Sequence, residues 1–468
     1  MKTTSLSLLA GCMVLASCAG GSGVEQSLAP TYACDSAVVN ITIADFDPQA
    51  NAYIEALINS YDDISELAPQ PLDSTGRITL RFDMQGDKVL SLLNASADER
   101  YGTIRIAPGE TTDVTIYPDS IVTTGRFADL NRELSSYTTK YGMNIFAPDF
   151  VRYDMNGDEY TSAIIAEYNR LKGALDADTS LSPAQRVIEE SNLMNSLLSF
   201  ATNRAIVGRG SYMAVNPGKY DIPRDSIVTD MSEANYAAIV KAIDPDSEAL
   251  LGGRCDVATS LGRVDWNEAG AKGTLLGTVT DYQKAARQAY EDKLDPELYS
   301  SLKAYSNPFF ALAVDNIGDI ARTRFEEASR MVSSTPEVSD SDIIEAIAAQ
   351  FPGKVVLIDR WNTWCGPCKA AIAENEPLKL TTLSDPDIVW VYVADESSPI
   401  PAYYKMIPTI KGHHYRLTEA QARALYERYN IDGIPYYFIA DRKGNVTPRP
   451  DFRDHDLMVT TILEELKK

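Results

Sequence analysis

The stretch Val355-Val356-Leu357-Ile358 is an unbroken apolar run, and Cys365-Gly366-Pro367-Cys368 follows it closely. Such a run is what a strand buried on both faces requires. Pro367 suits the first turn of a helix, where its missing N–H is no loss. The local order is therefore buried strand, short turn, helix, with Cys365 at the helix N-terminus. The dipole and free amides at that end favour a thiolate over a thiol. Two intervening residues bring Cys368 within disulfide reach, so the pair reads as a reversible dithiol. A structural zinc ion would need two further ligands. His413-His414 is the candidate pair, and adjacent histidines suit one tetrahedral ion poorly. A purely structural disulfide is disfavoured because so short a loop gains little from cross-linking. No metal and no cofactor beyond the Cys365–Cys368 disulfide are expected.

The rest of residues 336–468 alternates strands and helices. Helices are expected at Ile343–Phe351, Pro367–Leu383, Thr418–Tyr429 and Leu457–Lys467, with Thr418 as an N-cap. Strands are expected at Ile388–Val393 and Tyr436–Ile439, the last closed by the turn Asp441–Asn445. This alternation implies an α/β domain with a mainly parallel sheet.

The chain of 468 residues is too long for one core and predicts about three domains. Residues 37–127 show period-two alternation, as in Arg77–Phe82, Thr103–Ile106 and Asp113–Ile116, separated by turn signals at Gln85–Asp87 and Pro108–Glu110. They predict a small antiparallel β domain of sandwich type, with a helix or loop over Ala52–Leu67. Residues 128–335 read as a helical domain. Its helices are expected at Ser162–Leu175, Pro183–Ala205, Ser232–Ile243 and Tyr282–Lys293, and from Asn307-Pro308 to about Val332. Ser182 is placed to cap the second. Asp244–Arg254 and Gly270–Gly277 read as connections. Asp154–Asp158 lacks EF-hand spacing and is read as a turn.

The first residues are of a different kind. Lys2 precedes a short apolar stretch from Leu6 to Leu15, too short to span a bilayer, which reads as a secretion signal over residues 1–17. Leu15-Ala16-Ser17-Cys18 resembles the lipobox of bacterial lipoproteins. That resemblance implies cleavage before Cys18, acylation of its sulfur and attachment to a lipid bilayer. Residues 18–36, opening with Ala19–Gly23, then form a tether. The expected location is the cell envelope, facing the periplasm or the cell surface, where disulfides persist. Cys34 and Cys255 could pair there or stand as separate thiols. A net charge of −23 argues against a nucleic-acid partner.

Val356–Lys369 resembles the active-site strand and helix of thioredoxins, and Gly433-Ile434-Pro435-Tyr436 is similar to their cis-proline element. The longer match is to multidomain thiol–disulfide oxidoreductase lipoproteins of the TlpA/ResA type in Bacteroidetes. The strong part covers roughly the last quarter of the chain. An insertion at Glu396–Arg416 fits that group. The resemblance implies that Cys365 attacks a substrate disulfide and Cys368 resolves the mixed disulfide. It gives Asp359 a role in proton transfer, and burial should raise its pKa. Pro435 would be cis and leave the Ile434 backbone to pair with a bound peptide. Trp364, Gly366 and Pro367 would shape the surface that meets a disulfide-containing protein, and Trp361 would pack. The electron donor would be a membrane thiol carrier. The Gly-Pro pair is closer to reducing members than to oxidants. Arg360, where the family has an apolar residue, and Ala373, where many members have a proline with Pro377 one turn later, are departures. Neither is expected to touch the sulfurs. Two other classes stay open at this point: an envelope binding or scaffold lipoprotein in which the redox site is accessory, and a thiol peroxidase, which would use a lone cysteine.

Overall fold

A computed structural model describes residues 28–48, 53–58, 70–94, 99–146, 148–218, 222, 226–251, 261 and 264–468. The secretion signal, Cys18 and Cys255 lie outside these residues, so the expected acylation and the Cys34–Cys255 alternatives fall there too. No helix among the described residues is long and apolar enough to cross a membrane. The chain divides into two compact units with the main boundary between Gly318 and Asp319.

In the first unit, β1 (Cys34–Ile43) lies between β3 (Arg77–Gln85) and β6 (Thr111–Tyr117), and β7 (Ser120–Thr123) follows β6 at the sheet edge. Alternate residues Ala37, Val39, Ile41 and Ile43 of β1 are buried, as the period-two pattern requires. The antiparallel expectation needs one correction. β1 runs antiparallel to β3 but parallel to β6, so this sheet is mixed. Alternation reports which face is buried, whereas direction depends on the path between strands distant in sequence. A second group pairs β4 (Lys88–Asn94) with β2 (Tyr53–Ile58) on one side and β5 (Glu99–Ile106) on the other, all antiparallel. Over Tyr53–Ile58, β2 corrects the helix or loop expected for Ala52–Leu67, of which residues 52 and 59–67 lie outside the described residues. Ile54 and Ala56, two apart, are both buried, and pairing with β4 selects the extended form.

Helices follow: α1 (Ala128–Ser136), α2 (Gly157–Ala177), α3 (Pro183–Thr202), α4 (Arg204–Val215), α5 (Glu233–Ala242), α6 (Leu275–Tyr290), α7 (Pro296–Ala304) and α8 (Phe309–Met331). Buried Asn131 ties α1 to the strands by bonding both the N–H and the carbonyl of Arg105. Ser182 caps α3 with Gln185 in a reciprocal pair. The single helix expected through Ala205 breaks at Asn203, whose side-chain amide donates to the Ser199 carbonyl at 3.1 Å. α6 starts earlier than expected, capped by Thr274. Gly277 sits where an added Cβ would overlap the Ala271 carbonyl, so the residue that looked like a loop glycine permits close packing.

The second unit holds α9 (Ile343–Ala348), β8 (Val355–Arg360), α10 (Gly366–Leu378), β9 (Ile388–Asp395), α11 (Ile400–Met406), β10 (His413–Leu417), α12 (Glu419–Tyr429), β11 (Tyr436–Ala440), β12 (Val446–Pro448) and α13 (His455–Leu466). Its five strands are ordered β10-β9-β8-β11-β12. β8, β9 and β10 are parallel, and β11 and β12 are antiparallel to their neighbours. Every residue of β8 is buried. Val355 and Leu357 pack with Ile372 of α10 and Ile462 of α13, while Val356 and Ile358 pack with Ile344 of α9 and Leu425 of α12. Helices thus cover both faces, which explains the continuous apolar run. Edge strand β10 arises within the segment read only as an insertion. Its His413-His414-Tyr415 gave no apolar run, so only pairing with β9 reveals it.

Candidate active site

β8 ends at the centre of its sheet and delivers the chain into the turn 361–365. Cys365 caps α10, its sulfur 3.1 Å from the Cys368 amide that donates to it. Pro367 occupies the first turn, as expected. Cys365 and Cys368 form a disulfide. The two sulfurs are not equivalent: Cys368 is fully buried, and Cys365 keeps 4% exposure. Gly366 and Pro367 are exposed around them, and Trp364 is 60% exposed. Trp361 is buried instead, beside Tyr403.

The loop before β11 closes over this pair. The Ile434–Pro435 bond is cis, and the Ile434 carbonyl oxygen lies 3.7 Å from the Cys365 sulfur. Arg453 braces that loop, donating to the Pro435 carbonyl and to the Gly433 carbonyl, each at 3.0 Å. Sequence reasoning missed Arg453 because it lies after β12, in a short 3-10 turn with no motif of its own.

Asp359 pairs in register with Tyr392 of β9 and Tyr437 of β11. It follows Leu357 by two positions and so faces the core that holds Cys368, Tyr392 and Tyr437. Both of its carboxylate oxygens lack a hydrogen-bond partner. Burial pushes its pKa up to about 7, opposed by the positive charges of Lys379 and Arg360. Its place in sequence foretold the burial. Nothing there foretold Lys379, which directly follows α10, with its ammonium 4.6 Å from the Tyr392 ring centre.

Arg360 points to the other face and is fully buried. It donates to the Trp361 carbonyl at 2.6 Å and the Val393 carbonyl at 3.1 Å, and it pairs with Asp395. Asn362 donates to Asp395 at 3.3 Å and accepts from the Asp395 amide and the Ser398 hydroxyl. Ser398 in turn accepts from the Thr363 amide, and Ser397 accepts from the Trp364 indole at 3.0 Å. This chain of bonds fastens the turn carrying Cys365 to the segment after β9. Arg360 does not bond the sulfurs, but it anchors the turn that presents them. Ala373 lies within α10, and Pro377 sits in its last turn. His414 is buried, with Nε2 2.9 Å from the Ile410 carbonyl.

No family model matches this chain, and no curated protein matches it. Solved structures give partial likenesses. A candidate thiol–disulfide oxidoreductase from Bacteroides vulgatus is 27% identical with a TM-score of 0.21, covering 25% of this chain and 78% of that one. The thioredoxin domain of another thiol–disulfide oxidoreductase from Bacteroides vulgatus is 21% identical with a TM-score of 0.19, covering 21% and 71%. A thioredoxin-family thiol:disulfide interchange protein from Chlorobium tepidum is 25% identical with a TM-score of 0.20, covering 24% and 83%.

Proposed function

We propose that this chain is a thiol–disulfide oxidoreductase that reduces protein disulfides through Cys365 and Cys368. The observation that carries the reading is the unequal placement of the sulfurs. Cys365 caps a helix beneath the Pro435 loop, and Cys368 is enclosed behind it. In the reduced form the helix end favours a Cys365 thiolate. That thiolate attacks a substrate disulfide, and one substrate sulfur leaves. Cys368 then gives up its proton, attacks the Cys365 sulfur and frees the second substrate sulfur. Exposed Trp364, Gly366 and Pro367 together with Ile434 form the surface a substrate chain would meet. A membrane thiol carrier would return the dithiol to its reduced state. Acylation at Cys18 would hold the chain to a bilayer of the cell envelope, on the periplasmic or outer side.

The test is reduction of insulin disulfides by the purified protein, beside Cys365→Ser and a measured redox potential. The expected results are turnover by the native chain, none by the variant, and a potential of about −270 mV, that of thioredoxin. Native turnover no faster than that of Cys365→Ser would overturn the reading. The anchor is tested separately by detergent-phase partitioning. Cys18→Ala should move the protein to the aqueous phase, and an unchanged partition would remove the anchor from the proposal.

A further inference from the structure

The edge of a β-sheet presents backbone groups that seek partners, and folded chains blunt their edges against pairing with other molecules. Most edges in this protein are blunted. β7 is four residues long, and β12 is three residues long and ends at Pro448. Edge strand β10 accepts a further bond at the His414 carbonyl, from the Ser333 amide at 2.7 Å. β5 meets α1, where Asn131 holds the backbone of Arg105. β3 differs from all of these. It is nine residues long, holds no proline and keeps an unbroken register with β1 from Arg77 to Gln85. Among the described residues no strand lies along its other side.

The bonds of β1 fix which way the backbone groups of β3 point. The Val38 amide donates to the Glu110 carbonyl, and the Ser36 carbonyl accepts from the Gly109 amide. Even-numbered residues of β1 therefore face the β6 side. The Ile43 amide donates to the Gly76 carbonyl, and the Ala33 carbonyl accepts from the Gly86 amide, so odd-numbered residues face β3. The register then turns the backbone groups of Ile78, Leu80, Phe82 and Met84 toward β1. Those of Thr79, Arg81 and Asp83 point to the outer edge. The side chains of these three are exposed on one face, while Leu80, Phe82 and Met84 are buried on the other. Leu80 and Phe82 each keep 7% exposure, whereas Val39 in the neighbouring central strand keeps none. The apolar layer is thus open along this rim.

We propose that β3 pairs antiparallel with β3 of a second copy of this chain, around a two-fold axis at Phe82, joining two four-stranded sheets into one continuous sheet. A ladder closes only where outward-pointing residues meet each other, which limits the registers. With the axis at Phe82, Arg81 lies opposite the partner's Asp83, and Asp83 lies opposite the partner's Arg81. Opposite charges directly across an antiparallel pair are favourable, and like charges are not. On the buried face Phe82 meets Phe82 and Leu80 meets Met84, so the apolar layer continues across the seam. Sliding one strand by two residues sets Arg81 against Arg81 or Asp83 against Asp83. A second copy is the fitting occupant because the same two side chains answer each other twice. This inference is independent of the dithiol reading.

The test is sedimentation velocity over a range of concentrations. It uses the full chain carrying Cys18→Ala, so that no acyl group associates the molecules. With β3 unaltered, the chain should form dimers that dissociate on dilution. Arg81→Asp sets aspartate against aspartate at two points of the seam, and Asp83→Arg sets arginine against arginine. Each should weaken dimerisation by about tenfold or more. Mixing the two variants should restore association at close to native strength, because every opposed pair in that heterodimer carries opposite charges. Such recovery would also show that each variant is folded. The exchange variant, Arg81→Asp with Asp83→Arg, should dimerise alone. A chain that stays monomeric at every concentration leaves the edge to a foreign strand and overturns the inference. Native-strength dimers in both single variants, or a mixture that fails to associate, overturn it too.

Discussion

Asp359 and Arg360 are neighbours on one strand, both buried, and they face opposite sides of the sheet. On the Arg360 side the charge is answered: both terminal guanidinium nitrogens are bonded, and Asp395 is held in turn by Asn362 and the Ser397 amide. On the Asp359 side neither carboxylate oxygen has a partner. Burying a polar group without its bonds costs free energy, so a carboxylate left this way contributes nothing to stability. The difference separates a buried charge that is fully answered from a buried carboxyl that is not. The bonded charge fastens the turn that carries Cys365, and the unbonded one is free to change its protonation behind Cys368.

The scaffold side should break hardest. Arg360→Met strands Asp395 in a site built for a pair and should cost roughly 3–5 kcal/mol of stability, read as a lower urea midpoint. Replacing both Arg360→Met and Asp395→Leu should recover most of that loss. If the single variant is as stable as the native chain, Arg360 does not anchor the turn.

The Asp359 side should respond in the opposite sense. Its pKa is raised from 3.8 to about 7 by burial, so between those values the folded oxidised protein binds more protons than the unfolded chain. Stability attributable to this group therefore falls as pH rises through that window and levels off above it. Asp359→Asn should remove the decline and make the protein more stable at pH 8 by on the order of 2–4 kcal/mol. It should also slow release of substrate from the mixed disulfide. Parallel stability curves for native and variant protein across pH 4–8 would place Asp359 outside this role.

Two smaller effects sharpen the contrast at the surface. Arg453→Ala frees the Gly433 and Pro435 carbonyls beside solvent and should cost about 1 kcal/mol while lowering insulin turnover, because the loop over Cys365 is less firmly held. Trp364→Ala removes a largely exposed side chain and should change stability by only about 0.5 kcal/mol or less. Its effect should appear as a higher KM for insulin, and an unchanged KM would take Trp364 out of the substrate surface.

Much of the second unit was legible in the sequence because its signals are local. The apolar run at Val355–Ile358, the proline after Gly366 and the N-cap at Thr418 each act within a few residues. The elements that were missed draw their stability from elsewhere. β10 exists because β9 offers it an edge, β2 because β4 does, and the break at Asn203 depends on which carbonyl its amide reaches.

The sequence by itself determined which atoms could do chemistry here: a dithiol at a strand-to-helix junction, an aspartate directly after the apolar run of that strand, and a proline just before the strand expected at Tyr436–Ile439. Covalent order and short-range propensity suffice for that. Only the tertiary structure decided which charges meet them. Arg360 looked like a misplaced residue until Asp395, 35 positions later, was folded against it. Lys379 is one of the chain's 43 basic residues until α10 packs it over Tyr392, the register partner of Asp359. Electrostatic interaction depends on distance and on the exclusion of water, and both are set by packing between segments far apart in sequence.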